Sequence, residues 1–166
     1  KLVGSRDLNF YQIEQIKRIR LVKRADGYYA QFGIDVDRRE KMEPTQTTIG
    51  LDVGLNHFYT DSKGEVVENP RFLRKSERQL KKLQRKVSKR KKGSANRRKA
   101  IKRLARKHLQ VSRQRKDFAV KTARCVVRCN DLIAYEDLQV RNMVKNHKLA
   151  KSISDASWSM FRDWVE

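Results

Sequence analysis

Apolar and polar residues alternate on both sides of "ADG" in the stretch "IKRIRLVKRADGYYAQFGIDV". Ile19 and Leu21 precede the turn, and Tyr28, Ala30, Phe32, Ile34 and Val36 follow it. A period of two around Asp-Gly predicts two antiparallel strands within residues 16–36. Residues 37–46, "DRREKMEPTQ", carry no such pattern and read as a linker. Three more strand candidates then come in quick succession, "TTIGLDV", "HFYTD" and "EVVEN", with "SKG" turning the chain between the last two. They predict a three-stranded meander.

Beyond Pro70 the period lengthens. In "FLRKSERQLKKLQRKVSKRKK", Leu73, Leu80, Leu83 and Val87 make a thin helical stripe and leave the bases facing outward. Gly93 breaks that helix, and a second begins near Ser94 or Asn96, carrying Ile101, Leu104, Ala105, His108, Leu109 and Val111. Its later part, "DFAVKTARCVVRCN", is far more apolar, so this helix should pass from a solvated hairpin onto a core. "DLIAYEDL" then reads as a short buried strand ending at Glu136. In "SISDASWSMFRDWVE", Ser152 stands three residues ahead of Asp155, as at the start of a capped helix. Trp158, Phe161 and Val165 fall on one helical face, and core packing explains them without any role in base stacking.

Charge adds a partner to this picture. The 166 residues hold 41 Lys and Arg against 19 Asp and Glu, a formal charge of +22. From Arg71 to Lys116 there are 22 bases and one acid, Glu77, so 22 minus 1 leaves +21 on this stretch alone. Such an excess calls for a polyanion. No apolar run reaches the 18 or so residues of a spanning helix and no signal-peptide pattern opens the chain, which favours nucleic acid over membrane and an intracellular location. The candidate contacts on the helical pair 71–116 are Arg71, Arg74, Lys75, Lys82, Arg85, Lys86, Lys89, Arg90, Lys91, Lys92, Arg97, Arg98 and Lys99. Cys125 and Cys129 lack the C-x-x-C spacing and second pair of a zinc site, and read as small buried thiols. The length suits one domain and part of another. A chain that opens on Lys1 and closes at Glu166 within an amphipathic pattern reads as a piece of a longer protein.

The remaining question is chemical. Asp52 sits between Gly50 and Gly54 in an apolar run, and Glu136 ends the later strand. An unpaired carboxylate within a buried strand is costly, so the two acids are expected to meet at a cation. Magnesium or manganese takes oxygen ligands, and two such ions roughly 3.5–4 Å apart clamp the attacking and leaving oxygens of a phosphodiester. Spacing alone leaves another reading open, in which Asp52 is an ordinary turn residue and Glu136 a cap.

The order of elements, three strands, a helical stretch and a fourth strand bearing the second acid, resembles the ribonuclease H-like fold. The stretches "IGLDVGLNHFYTDSKGEVVENPRFLRKSERQLKKLQRKVSKRKKGSANRRKAIKRLARKH", "RKDFAVKTA", "LIAYEDL" and "NHKLAKSISDASWSMF" resemble the TnpB family of transposon-encoded RNA-guided DNA endonucleases, relatives of the type V CRISPR effectors. That resemblance covers residues 48–166 and implies an α/β, ribonuclease H-like (RuvC-like) mixed sheet with a long basic helical hairpin. Residues 47–166 would be the nuclease domain, incomplete at its C-terminus. Residues 1–46 would be a linker and the last part of a wedge-like β-barrel, contributing a β-hairpin.

The resemblance further implies that Asp52 and Glu136 are catalytic, bind Mg2+ or Mn2+, and serve a guide RNA and target DNA in the prokaryotic cytoplasm, at the nucleoid. The family's zinc-binding cysteine pairs and third catalytic Asp lie downstream of the Trp-containing helix, where this chain stops. Two other classes compete. Actin-like ATPases also carry a glycine-flanked Asp on a first strand, but follow it with Ser or Thr, where this chain has Leu55 and Asn56. A non-catalytic RNA- or DNA-binding module would explain the bases but not the two acids.

Overall fold

The computed structural model describes residues 10–37 and 43–166. Residues 1–9 of the expected barrel segment and 38–42 of the expected linker lie outside the described residues. Contacts divide the chain into two compact units, Lys1–Lys41 and Met42–Glu166.

The first unit holds β1 (Ile16–Lys23) and β2 (Tyr28–Ile34), paired antiparallel with Ile19 opposite Phe32 and Leu21 opposite Ala30. This is the hairpin that the period of two predicts. The Arg24 N–H donates to the Gly27 carbonyl at 2.8 Å and closes the turn.

The second unit is an α/β structure. Its strands are β3 (Thr48–Val53), β4 (His57–Asp61), β5 (Val66–Glu68) and, after two long helices, β6 (Leu132–Tyr135). The first three form the expected antiparallel meander, and β6 lies parallel to β3, giving a mixed sheet in the order β5-β4-β3-β6. A parallel neighbour requires a long crossover. Here it is α1 (Phe72–Ser88) and α2 (Ala95–Cys129), followed beyond β6 by α3 (Val140–Met143), α4 (Ala150–Ala156) and α5 (Trp158–Val165).

The Ser94 hydroxyl accepts the Arg97 N–H at 3.1 Å and starts α2, and Gly93 supplies the left-handed turn, φ +80°, between the helices. Asp131 fastens the start of the parallel ladder. Its carboxylate accepts the Thr45 N–H and hydroxyl, both at 2.9 Å, and the Gln46 N–H at 2.7 Å, and these bonds, led by the Thr45 N–H, hold its pKa below the usual range.

One face of the sheet makes the core. Leu51 is buried and Ile49 and Val53 pack beside it, while Phe58, wholly buried, meets Phe118 of α2 and Phe161 of α5 edge-on at 4.9 and 5.2 Å. Ala119 and Ala123, both buried, present only small side chains where α2 joins this core. The solvated first half and packed second half of α2 follow the change in its apolar content. Trp158 and Phe161 are buried in the same core, as their helical spacing predicts. Among the described residues no helix is long and apolar enough to cross a membrane.

Four expectations need correction. First, β6 is not buried: it pairs only with β3 at the edge of the sheet, its residues alternate, and Leu132 is 63% exposed. Second, Cys125 and Cys129 are exposed free thiols, because the helix turns Ala119, Ala123 and Val126 to the core instead. Third, the last helical stretch breaks at Ser157, which takes a left-handed conformation at φ 61° and separates α4 from α5.

The fourth correction concerns Asp155. Helix α4 begins after Leu149 without a side-chain cap, so Ser152 and Asp155 do not start it. The Asp155 carboxylate instead accepts the N–H groups of Leu73 and Arg74, at 2.8 and 3.1 Å, in the open first turn of α1. It also pairs with the Arg115 guanidinium of α2, 3.1 Å from both Nε and Nη2. A distant acid thus caps α1 and ties it to α2 and α4.

Candidate active site

Along β3 the alternation of Ile49, Leu51 and Val53 sends these side chains to the core and leaves Gly50 and Asp52 on the opposite face. Asp52 is exposed. The strand is therefore buried on one side only, and the carboxylate carries no burial penalty; the expectation of a buried acid came from reading a half-buried strand as a fully buried one.

The parallel register pairs Gly50 with Ala134 and Leu51 with Tyr135, so the next residues, Asp52 and Glu136, come side by side at the C-terminal end of the β3–β6 ladder. Both line one open depression of about 440 Å³, together with Gly50, Leu51, Thr60, Asp61, Ser62, Ala134 and Tyr135. In a chain of charge +22, this lining contains three acids and no Lys or Arg.

Within the described residues the side chains of Asp52 and Glu136 make no hydrogen bond or ion pair, which leaves their oxygens free. Asp61 differs. Its Oδ1 accepts the N–H groups of Lys63 and Glu65, at 2.9 and 2.8 Å, and so builds the β4–β5 turn. It also pairs with Leu51, which sets it on the alternate face from Asp52. Among the described residues no three His, Cys, Asp or Glu side chains form a group able to hold a metal ion.

Helix α5 steadies the backbone around Glu136. The Tyr135 hydroxyl donates to Glu166 at 2.7 Å, which raises the tyrosine pKa, and Arg162 donates to Asp137 at 3.0 Å.

The basic helices present a different surface. Of the thirteen predicted contacts, Arg74, Lys75, Lys82, Arg85, Lys86, Lys89, Arg90, Lys91, Lys92, Arg98 and Lys99 are exposed on α1, α2 and the turn between them. Two are engaged by the protein itself. Arg71 donates to the carbonyls of Leu55 and Asn56 at 3.4 and 3.3 Å, and Arg97 donates to those of Val87 and Arg90 at 3.0 and 3.2 Å, covering the open end of α1. The lone acid of the stretch, Glu77, pairs with Lys81 and Lys151 at 2.9 Å each, and these hydrogen bonds hold its pKa down to about 2.

Sequence reasoning missed Thr60 and Ser62 as lining residues of the depression. The signal was the meander: antiparallel pairing puts Thr60 opposite Asp52.

Residues 31–147 match the OrfB_IS605 family model, described as "Probable transposase". The chain belongs to this family. Two relatives carry the description "Putative RNA-guided DNA endonuclease". One, from Streptomyces pristinaespiralis, is 43% identical over 122 residues, which are 74% of this chain and 30% of the relative. The other, InsQ of Escherichia coli K12, is 28% identical over 131 residues, 79% of this chain and 33% of the relative. This family member thus spans about a third of the curated relatives it matches. The matched region takes in both Asp52 and Glu136 and the whole of the basic helical pair.

Proposed function

We propose that this chain carries the RuvC-like site of an RNA-guided, metal-dependent DNA endonuclease of TnpB type, built on a ribonuclease H-like sheet. The observation that carries the proposal is the parallel register at Leu51 and Tyr135, which brings together two carboxylates without a partner among the described residues, in a depression whose described lining holds no Lys or Arg. The donor set suits magnesium or manganese: hard oxygen ligands, exposed, with no competing cation among the lining residues. When bound, such ions neutralise phosphate charge and lower the pKa of a bound water.

Asp52 and Glu136 hold the metal, and the α5 contacts to Tyr135 and Asp137 keep Glu136 in register with Asp52. The eleven exposed bases named above on α1, α2 and their turn track the phosphates of a guide RNA–DNA heteroduplex, which is gripped through its backbone geometry while base pairing selects the target. A binding module without catalysis is the alternative, and it gives no use to the two free acids.

Two carboxylates fix a pair of ions less well than the three or so usual for two-metal hydrolysis. The 166-residue chain, given guide RNA, matched DNA and magnesium, is therefore expected to cleave weakly. A chimera in which it replaces the matching third of the Streptomyces relative provides the direct test. RNA-guided cleavage by the chimera should disappear in both Asp52→Ala and Glu136→Ala, and cleavage that survives either substitution would refute the site.

A further inference from the structure

The depression has a second wall. Strand β4 runs antiparallel to β3, and its register places Thr60 directly opposite Asp52. Residues so paired share one face of a sheet with Cβ atoms about 4.5–5.5 Å apart. Thr60 and Asp52 therefore stand on the adjacent strands β4 and β3, on the face turned away from the core, and Glu136 directly follows the last residue of β6, the other neighbour of β3.

Thr60 is half-buried, and its hydroxyl makes no hydrogen bond with any described residue. Its neighbour Ser62 is already engaged, accepting the Gly50 N–H at 3.2 Å. The floor between the walls is low, since the paired residues Gly50 and Ala134 carry little or no side chain. The Ser62 side chain lies against Gly50, so the open part of this floor is at the exposed Ala134. Ionised carboxylates only accept hydrogen bonds, so Asp52 and Glu136 offer a phosphate oxygen nothing but repulsion. A neutral hydroxyl beside them can donate to that oxygen without competing for the cation.

We infer that the Thr60 hydroxyl donates a hydrogen bond to a non-bridging oxygen of the phosphodiester held beside Asp52 and Glu136, and so orients the backbone to be cut. The inference rests on the metal-site reading above and adds to it a residue that binds substrate rather than metal.

The test uses the 166-residue chain with two probes, Mn2+ alone and the dinucleotide thymidylyl-thymidine, which is too short to occupy much of the basic helices. Mn2+ affinity is followed by electron paramagnetic resonance. The position of the phosphate is followed by broadening of the dinucleotide's phosphorus-31 resonance beside the bound ion, at sub-saturating dinucleotide and raised salt. Thr60→Val keeps the β-branched shape and removes the donor, whereas Thr60→Ser keeps the donor; thermal unfolding verifies that both fold, and Thr60→Ala replaces the valine variant if it does not.

The expected result is unchanged Mn2+ affinity in both variants, with Mn2+-dependent broadening reduced about five- to ten-fold in Thr60→Val and kept in Thr60→Ser. Broadening in Thr60→Val equal to that of the parent overturns the inference and leaves the metal site standing. Loss of Mn2+ affinity in Thr60→Val also overturns it, because Thr60 would then support the metal and not the phosphate. If Asp52→Asn retains both Mn2+ binding and broadening, the metal-site reading falls, and the role of Thr60 falls with it.

Discussion

Asp155 and Asp52 are aspartates on apolar-patterned segments, and the fold uses them in opposite ways. Asp155 is 7% exposed and its carboxylate is saturated by two helix N–H groups and an arginine. Asp52 stands exposed beside a second carboxylate and has no partner among the described residues. The first is a junction, stabilised by what it touches within the chain. The second makes no hydrogen bond or ion pair with any described residue, which is the pattern of a residue kept for an external ligand.

The sharpest way to break that contrast is to remove each acid in turn. Asp155→Ala leaves Arg115 and the first turn of α1 without their partner, and should cost about 3–5 kcal/mol in urea unfolding. Asp52→Asn should change stability by less than about 0.5 kcal/mol, because the exposed carboxylate makes no contact with the described residues that the amide would lose. Similar losses in the two variants would erase the distinction between junction and site.

Metal sharpens the same contrast. Magnesium or manganese at about a hundred times its Kd should stabilise the parent by about 2.7 kcal/mol, seen as a rise in Tm, and Asp52→Asn should lose that rise. An equal rise in both proteins would place the ion elsewhere. A smaller effect is expected at the basic helices, since each exposed base contributes little by itself. Replacing Lys89, Arg90, Lys91 and Lys92 together with Ala should flatten the dependence of log K on log salt for duplex binding by about 0.9 for each phosphate no longer neutralised. A slope that stays unchanged would remove the turn between α1 and α2 from the binding surface.

Most of the architecture was legible in the sequence because it rests on local period. The hairpin around Asp26 and Gly27, the three-stranded meander, and the two helices meeting at Gly93 each carry their own pattern. The two acids drew attention through their place in strand-like runs, although Asp52 lies on an exposed face and not within a buried strand. What could not be read was long-range pairing. Nothing near Asp155 announces that its carboxylate will cap a helix 82 residues earlier. Ser152 supplied a local and misleading alternative. Arg71 and Arg97 look like their neighbours in a basic run, and only the folded chain puts carbonyl groups within their reach. Thr60 was hidden by its own propensity, since a threonine in a strand needs no explanation until the register sets it opposite Asp52.

Glu77 lies between the two extremes, an acid with partners but near the surface, and it yields the smallest effect. Lys81 and Lys151 hold its pKa down to about 2, against a usual 4.5. A carboxylate depressed in the folded state adds stability above its unfolded pKa and loses it as pH falls through the folded one, so the contribution should be whole at pH 5 and fade between about 4.5 and 2. Because Lys151 lies in α4, ahead of residues that pack on the core, the pair also links α1 to the segment bearing Asp155. Comparing Tm for the parent and Glu77→Gln from pH 6 to pH 2 isolates this contribution. The gap between the two should be modest at pH 6, shrink in 0.5 M salt as the screening length falls below about 8 Å, and close as the acid limit is reached. A gap that widens on acidification would mean that Glu77 is stabilised in its protonated form, and that the lysines beside it serve the nucleic-acid surface instead of the fold.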